Sequence, residues 1–144
     1  MILLTESDTA AAGAALARVV RPGDVITLSG PLGVGKTALA RALIAALGHA
    51  SDVPSPTFAI VQPYEELDPP VWHVDLYRIE DAAEIEELGL DAADNAVLLV
   101  EWPERAVAHA WPDALRLSLD FTPNGDRILT GKAPPSWEGR WPLQ

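Results

Sequence analysis

Residues 30–37 combine glycines, a lysine and a threonine in the pattern G-x-x-x-x-G-K-[ST], which forms a phosphate-binding loop. Glycine lets the backbone turn tightly, so that several N–H groups can converge on one anion. Lys36 places a positive charge on the β- and γ-phosphates, and the Thr37 hydroxyl can supply one ligand to Mg²⁺. These residues predict that the chain binds a nucleoside triphosphate together with magnesium.

The segments on either side of this loop have the order that the motif requires. Residues 24–29 are an apolar, β-branched run typical of a buried strand, and residues 38–47, rich in Ala and Leu, predict a helix that stops at Gly48. The positive end of that helix faces the phosphates. We expect the nucleotide contacts of this unit to come from Gly30, Leu32, Gly33, Val34, Gly35, Lys36, Thr37 and Ala38.

Two carboxylates follow predicted strands and are candidates for the chemistry of hydrolysis. Asp75 ends the run at residues 71–75, and Glu101 follows the continuous apolar run at residues 96–100. Ligands of such sheets lie beyond the carboxyl ends of the strands, so both side chains are expected near the phosphate loop. Either one can hold Mg²⁺ through water while the other orients or activates the attacking water, and spacing alone does not divide these roles.

Three further residues are candidates for supporting roles. Thr57, in the Ser-Pro-Thr-Phe segment at residues 55–58, is a candidate sensor of the γ-phosphate, with a simple proline turn as the alternative. His73 shares a strand face with Asp75, a pairing that also occurs in metal sites. Trp102 either shields the nucleotide pocket, contacts a partner or packs in the core.

The remaining pattern predicts an α/β fold of the P-loop NTPase type, with a mostly parallel central sheet flanked by helices and an antiparallel C-terminal hairpin. Further helices are predicted from a cap at Ser7 or Asp8 to about Val20, over residues 81–88 and over residues 104–110. Further strands are predicted at residues 1–5, 57–64, 114–122 and 127–130, with a hairpin turn at residues 123–126. One domain is expected over residues 1–131, followed by an irregular tail at residues 132–144. Trp137 and Trp141 in this tail are expected to cover the sheet, with a docking site as the alternative.

The composition restricts the class of protein. The formal net charge is −11 over 144 residues, so a nucleic-acid backbone would repel the chain and direct binding to it is not expected. There is no cysteine, which excludes disulfides, thiolate metal sites and a catalytic thiol. No apolar run approaches the roughly 18 residues of a membrane span, and the first four residues are too short for a signal peptide, so we expect no membrane association and a cytoplasmic location.

Four motifs in combination resemble those of a known family. They are residues 30–37, the Ser-Pro-Thr-Phe of residues 55–58, the His-Val-Asp-Leu-Tyr-Arg of residues 73–78, and Glu101 followed by Trp102. Their order and spacing are similar to those of the bacterial TsaE (YjeE) ATPases, over roughly residues 5–131. The phosphate loop occurs in many families, whereas the four motifs together are specific. At the position of Val34 the family commonly has alanine, a departure in a variable slot.

This resemblance implies a subunit of the machinery that makes threonylcarbamoyladenosine in tRNA. It implies ATP, ADP and Mg²⁺ as cofactors, and as partners TsaD, which performs the transfer, and TsaB, its scaffold. The family hydrolyses ATP to reset that complex, so tRNA would be contacted only indirectly. The implied residue roles are phosphate and Mg²⁺ binding by Lys36 and Thr37, Mg²⁺ ligation by Glu101, a part in hydrolysis for Asp75, a switch segment containing Thr57, and a place near the nucleotide for Trp102.

Two other functions are compatible with a phosphate loop. A small-molecule kinase would need an acceptor pocket and a lid, and the chain has no long arginine-rich segment of the kind that forms such lids. A nucleotide-dependent adaptor would bind ATP without turnover, and the two carboxylates after strands argue mildly against it. The guanine-reading sequence Asn-Lys-x-Asp is absent, which disfavours a GTPase.

Overall fold

Parallel strands form the centre of the structure, a computed structural model that describes residues 1–49, 60–107 and 110–140. One sheet has the order β1-β7-β6-β2-β5-β4-β3. Its strands are β1 (Ile2–Leu3), β2 (Val25–Ser29), β3 (Val61–Tyr64), β4 (Val71–Asp75), β5 (Val97–Glu101), β6 (Leu115–Phe121) and β7 (Arg127–Lys132). The β2–β5, β2–β6 and β4–β5 pairs are parallel, whereas β1, β3 and β7 join antiparallel. The predicted α/β class is confirmed, with the hairpin β6–β7 near one edge and the short β1 outside it.

Two α-helices, α1 (Glu6–Ala17) and α2 (Lys36–Ala46), cover one face of the sheet. They pack closely at Gly13, where a Cβ would lie 2.5 Å from the Cβ of Ala42. The main core forms between these helices and the strands, and includes Leu16, Ile26, Leu28, Leu39, Leu43, Ile44, Leu99, Leu115 and Leu117. No helix in the described part of the chain is long and apolar enough to cross a membrane.

Helix α1 begins two or three residues earlier than the predicted caps. Its N-cap is Thr5, whose hydroxyl accepts a hydrogen bond from the backbone N–H of Asp8 at 3.3 Å. The Asp8 carboxylate in turn accepts one from the backbone N–H of Thr5 at 3.1 Å. This reciprocal capping box satisfies two N–H groups at once, which a cap at Ser7 or Asp8 would not. The helix also ends at Ala17, short of the predicted Val20.

The acidic segment predicted as a helix over residues 81–88 is a 3₁₀ helix, Ala82–Leu88. Ile85 and Leu88 are half-buried on its inner side, as predicted, and pack against a second core on the other face of the sheet. That second core contains Val74, Leu76, Ile79, Ala93, Ala96, Leu98 and Val100. Strands β4 and β5 are therefore covered on both faces, which is why β5 is an uninterrupted apolar run up to its terminal acid.

The predicted helix over residues 104–110 is wrong for the residues that the structure describes there. Only a short 3₁₀ turn, Pro103–Arg105, is present, and Ala106 is already extended at φ −89° and ψ 170°. Trp111, after this turn, packs against the second core. Residues 108–109 lie outside the described part.

The end of the described chain covers the main core. Trp137 is 1% exposed and belongs to that core, as expected of a cover for the sheet. The Arg140 guanidinium lies 4.1 Å from the Trp137 ring, forms an ion pair with Asp24 and donates to the Val19 carbonyl at 2.8 Å. This segment is therefore held by both packing and charge, while Trp141 lies outside the described residues.

Candidate nucleotide-binding site

The predicted phosphate loop connects the end of β2 to the first turn of α2. Gly30 has a φ of 147°, and a Cβ there would lie 2.3 Å from the Leu119 carbonyl oxygen, so β6 leaves no room for a side chain. Gly35 is the N-cap of α2 at a φ of 111°, and no side chain caps the helix. The first N–H groups of α2 therefore point into the loop without a side-chain acceptor, as an anion site requires.

Lys36 lies at the base of the loop and is only 5% exposed. Its Nζ donates to the carbonyl oxygens of Gly30 and of Pro31, the latter at 3.2 Å, and lies 3.7 Å from the centroid of the Trp102 ring. Burial lowers the pKa of Lys36 from its ordinary value of 10.5, against the opposing effect of nearby carboxylates, of which Glu101 is the strongest. A bound phosphate would add a full negative charge beside this ammonium and favour its charged form.

The Thr37 hydroxyl contacts the Glu101 carboxylate directly. Thr37 Oγ1 is 2.8 Å from Glu101 Oε1 and 3.1 Å from Oε2, and Glu101 is 2% exposed at the end of β5. Magnesium in nucleotide sites is held by one or two such oxygens together with phosphate oxygens and water. Within the described residues, no three His, Cys, Asp or Glu side chains form a cluster able to hold a metal by themselves. The Thr37 hydroxyl and the Glu101 carboxylate thus fit a Mg²⁺ ion that arrives with a nucleotide.

His73 on β4 contacts Glu101 at the end of the neighbouring strand β5. This contact was not predicted from the sequence. His73 is fully buried, and its Nε2 lies 2.6 Å from Glu101 Oε2. Because an ionised carboxylate only accepts, Nε2 is the donor, while Nδ1 is buried without a partner. Strand pairing places His73 opposite Leu99, two residues before Glu101. The imidazole therefore holds the carboxylate in the orientation in which it also meets Thr37.

Asp75 and Glu101 are Cα partners in the parallel pairing of β4 with β5. The structure thus brings both carboxylates to one edge of the sheet, as expected. Asp75 is 6% exposed, and its Oδ1 accepts a hydrogen bond from the backbone N–H of Tyr77 at 2.9 Å, so it also caps the turn after β4. Both acids line a cavity of about 280 Å³, together with Leu32, Gly33, Gly35, Lys36, Thr37, Ala38, Tyr77 and Trp102.

Trp102 is held over the loop by an unusual backbone conformation. Its φ is 59°, in the left-handed region that bulky residues avoid. The indole lies against the Lys36 ammonium, and the Tyr77 ring packs on it with centroids 4.9 Å apart. Trp102 also packs against the second core. Of the three alternatives, the structure places Trp102 both at the pocket and on the core.

Arg127, a second cation at the loop, was not identified from the sequence. Its Nη1 is 3.5 Å from the position that a Cβ on Gly35 would take, so the guanidinium lies against the first turn of α2. No hydrogen bond or ion pair engages this side chain among the described residues. The signal was present, since Arg127 follows the hairpin turn and a returning strand must begin at the carboxyl edge of β6. Arg127 thus approaches the loop from the side opposite Trp102.

For two of the predicted site residues, the structure describes no side-chain contact with the nucleotide site. Val34 is fully buried in the main core, so only its backbone faces the loop. Thr57 and the rest of residues 55–58 lie outside the described residues.

Comparison with known proteins gives a consistent result. Residues 3–129 match the family described as "Threonylcarbamoyl adenosine biosynthesis protein TsaE". The chain is 44% identical over 112 residues to a tRNA threonylcarbamoyladenosine biosynthesis protein TsaE of Streptomyces coelicolor, covering 75% of this chain and 76% of that protein. It is 43% identical over 125 residues to the TsaE protein of Bacillus subtilis, covering 85% of this chain and 78% of that protein.

A solved structure extends the likeness to three dimensions. The crystal structure of Bacillus subtilis YdiB superposes with a TM-score of 0.81, covering 97% of this chain and 88% of that chain at 28% identity. The similarity therefore includes the whole sheet and the segments that build the loop.

Proposed function

The chain belongs to the TsaE family of threonylcarbamoyladenosine biosynthesis proteins, and from this premise we propose that it is a Mg²⁺-dependent ATPase subunit required for that modification of tRNA. We further propose that it acts on a complex of TsaB and TsaD and resets that complex between cycles. Its contact with tRNA is then indirect, in keeping with a net charge of −11.

One observation supports the ATPase above all others: the contact between Thr37 and Glu101 beside Lys36. A hydroxyl on the first turn of α2 lies 2.8 Å from a buried strand-terminal carboxylate. In phosphoryl transfer, positioning and charge stabilisation carry most of the catalysis, and the metal ion neutralises charge on the β- and γ-oxygens. A protein that only held nucleotide would need the loop, but not a carboxylate fixed by both Thr37 and His73.

The same contacts support a division of roles between the two acids. Glu101 accepts a hydrogen bond from the Thr37 hydroxyl, which is itself a candidate Mg²⁺ ligand, so we assign Glu101 to the Mg²⁺ side of the site. Asp75 is its neighbour across the ladder, lines the same cavity and has one oxygen held by the Tyr77 N–H. We assign Asp75 to orienting or activating the attacking water. Lys36 would bind the β- and γ-phosphates, and Trp102 would cover the loop from one side.

The test is ATP hydrolysis by the chain alone and with TsaB and TsaD from the same organism, in the presence of Mg²⁺. We expect slow hydrolysis alone, stimulation by the pair, and loss of the activity in Lys36→Ala. Arg18→Ala is the matched control, because Arg18 is an exposed cation at the end of α1. It should retain both rates.

Other results would replace the proposal. Fast ATP hydrolysis by the chain alone, at a rate that TsaB and TsaD do not change, would contradict the proposal that the chain is a subunit regulated by these partners. ATP binding without any turnover would favour a nucleotide-dependent adaptor. Transfer of the γ-phosphate to a small acceptor would favour a kinase.

A further inference from the structure

The second face of the sheet is covered by apolar residues over β4 and β5, whereas over β2, β6 and β7 much of it is polar. Strand pairing sets two rows of side chains across these three strands. The first row is Thr27, Arg116 and Lys132, and the second is Ser29, Ser118 and Thr130. We call these six residues the polar face. Central strands of a mostly parallel sheet normally carry apolar residues on both faces, so the polar composition here needs its own explanation.

The polar face forms the floor of a cavity of about 620 Å³. Its rim includes Pro103, Glu104, Val107 and Trp111. Val107 is 53% exposed, and Trp111 is half-buried. A polar floor with a mostly apolar rim suits a protein segment better than a small metabolite, because aromatic and aliphatic contacts at the rim can exclude water around the polar contacts.

Two cations oppose each other on this floor. Arg116 and Lys132 are direct cross-strand partners in the antiparallel hairpin. Like charges in this position destabilise a sheet. Neither side chain takes part in an ion pair or side-chain hydrogen bond with any described residue, in a chain with 21 acidic residues. An anion placed between them would relieve the repulsion, so the pair fits a carboxylate supplied from outside.

We propose that the polar face docks an acidic segment of a partner protein, with its carboxylates on Arg116 and Lys132. This inference rests on the proposed function, since the partner is the TsaB–TsaD complex. A nucleic-acid strand fits less well, because it carries one negative charge per nucleotide, which Glu104 on the rim and the net charge of −11 oppose more strongly than they oppose one or two carboxylates. One or two carboxylates with apolar neighbours meet both the floor and the rim.

The polar face is joined to the nucleotide site by adjacent residues of the chain. Ser29 directly precedes Gly30 of the phosphate loop, and the rim residues Pro103 and Glu104 directly follow Trp102. The Trp102 ring contacts Lys36. A segment docked on the polar face would thus contact residues adjacent to both Gly30 and Trp102 of the nucleotide site. These neighbours provide a physical route from partner binding to ATP hydrolysis.

Charge reversal tests the proposal. The double variant Arg116→Glu with Lys132→Glu should bind the TsaB–TsaD complex at least roughly tenfold more weakly, because two attractions become repulsions. Its ATP affinity and its unstimulated hydrolysis should stay within about twofold of the parent chain. The control is Arg18→Glu with Arg41→Glu, which makes the same charge change at exposed positions on the helical face. Equal partner binding by the two double variants overturns the proposal.

Cross-linking identifies the occupant. Since the chain has no cysteine, Ser118→Cys and Arg18→Cys each introduce one thiol for a photo-reactive maleimide. The Ser118 probe should cross-link to an acidic segment of TsaB or TsaD, and the Arg18 probe should not. A Ser118 cross-link to tRNA, to a basic or neutral segment, or to nothing overturns the proposal. If the parent chain binds ATP but not TsaB–TsaD, the proposed function itself fails, and the docking site fails with it.

Discussion

The buried contact between His73 and Glu101 predicts that the variant His73→Phe will be less stable and will respond more weakly to Mg²⁺. The change keeps a ring of similar size and removes the donor that lies 2.6 Å from Glu101 Oε2. A hydrogen bond to a charged group contributes about 1.5–3 kcal/mol. The loss of the unpartnered Nδ1 offsets part of this, so we expect a net destabilisation of about 2 kcal/mol. A domain of this size has about 5–15 kcal/mol of stability and will remain folded.

The measurable consequences are a lower melting temperature and a changed response to magnesium. Two kcal/mol corresponds to a shift of about 6 °C for a domain of this length. A carboxylate without its orienting donor holds a metal less well, and such supporting contacts are typically worth about 10–100-fold. We therefore expect the Mg²⁺ concentration for half-maximal ATP hydrolysis to rise about tenfold. Thermal unfolding and a Mg²⁺ titration of hydrolysis measure the two effects.

Trp72→Phe is the matched control. Trp72 is the preceding residue of β4, faces the second core and donates from Nε1 to the Glu65 carboxylate at 2.9 Å. Its loss should cost less than about 1 kcal/mol, because the acceptor is exposed, and should not change the Mg²⁺ response. If His73→Phe lowers the melting temperature and leaves the Mg²⁺ titration unchanged, His73 only packs. Such a result would refute a positioning role of His73 toward Glu101.

Three further predictions concern other parts of the chain. Arg127→Ala should weaken ATP binding about tenfold, or about 1.4 kcal/mol by titration calorimetry, because it removes a cation beside Gly35 of the loop; an unchanged affinity contradicts this. Tyr64→Phe should stabilise the protein by about 1 kcal/mol, because the buried hydroxyl has no partner in the described structure. Burial raises the pKa of Tyr64 above 10.0, so the unfolded chain ionises first and the parent chain loses stability as pH rises past 10.0. The Tyr64→Phe variant should lose less stability over this range. Urea unfolding at pH 8 and above pH 10 measures both effects, and parallel curves of stability against pH for the two proteins would contradict the second. Trp137→Ala should cost about 3–5 kcal/mol with ATP affinity preserved at low temperature, since this side chain fills the main core away from the loop; a loss below about 1 kcal/mol would show that the tail is dispensable.

Some parts of the fold were predictable because their causes are local. The strand, glycine loop and helix of the phosphate site follow from residue types in one continuous stretch, and β5 was recognisable from its apolar run. Asp75 and Glu101 could be placed at one edge because the carboxyl ends of parallel strands share an edge.

The errors arose where contacts with other residues, near or distant, override the preference of single residues. Residues 104–110 have a helical composition, yet the described part has only the 3₁₀ turn Pro103–Arg105 and an extended Ala106, and Trp111 packs against the second core. The start of α1 was misplaced because Ser7 and Asp8 are good caps in isolation, whereas the reciprocal hydrogen bonds favour Thr5.

By itself, the amino-acid sequence determined the α/β class, the phosphate loop and most of the residues from which the site is built, though not Arg127. The tertiary structure decided which of them meet: His73 with Glu101, Arg127 with Gly35, and Arg116 with Lys132. The physical reason is that strand order and register depend on packing across the whole sheet. A one-residue slip in a pairing would turn every side chain of that strand to the opposite face, and no local pattern reports it.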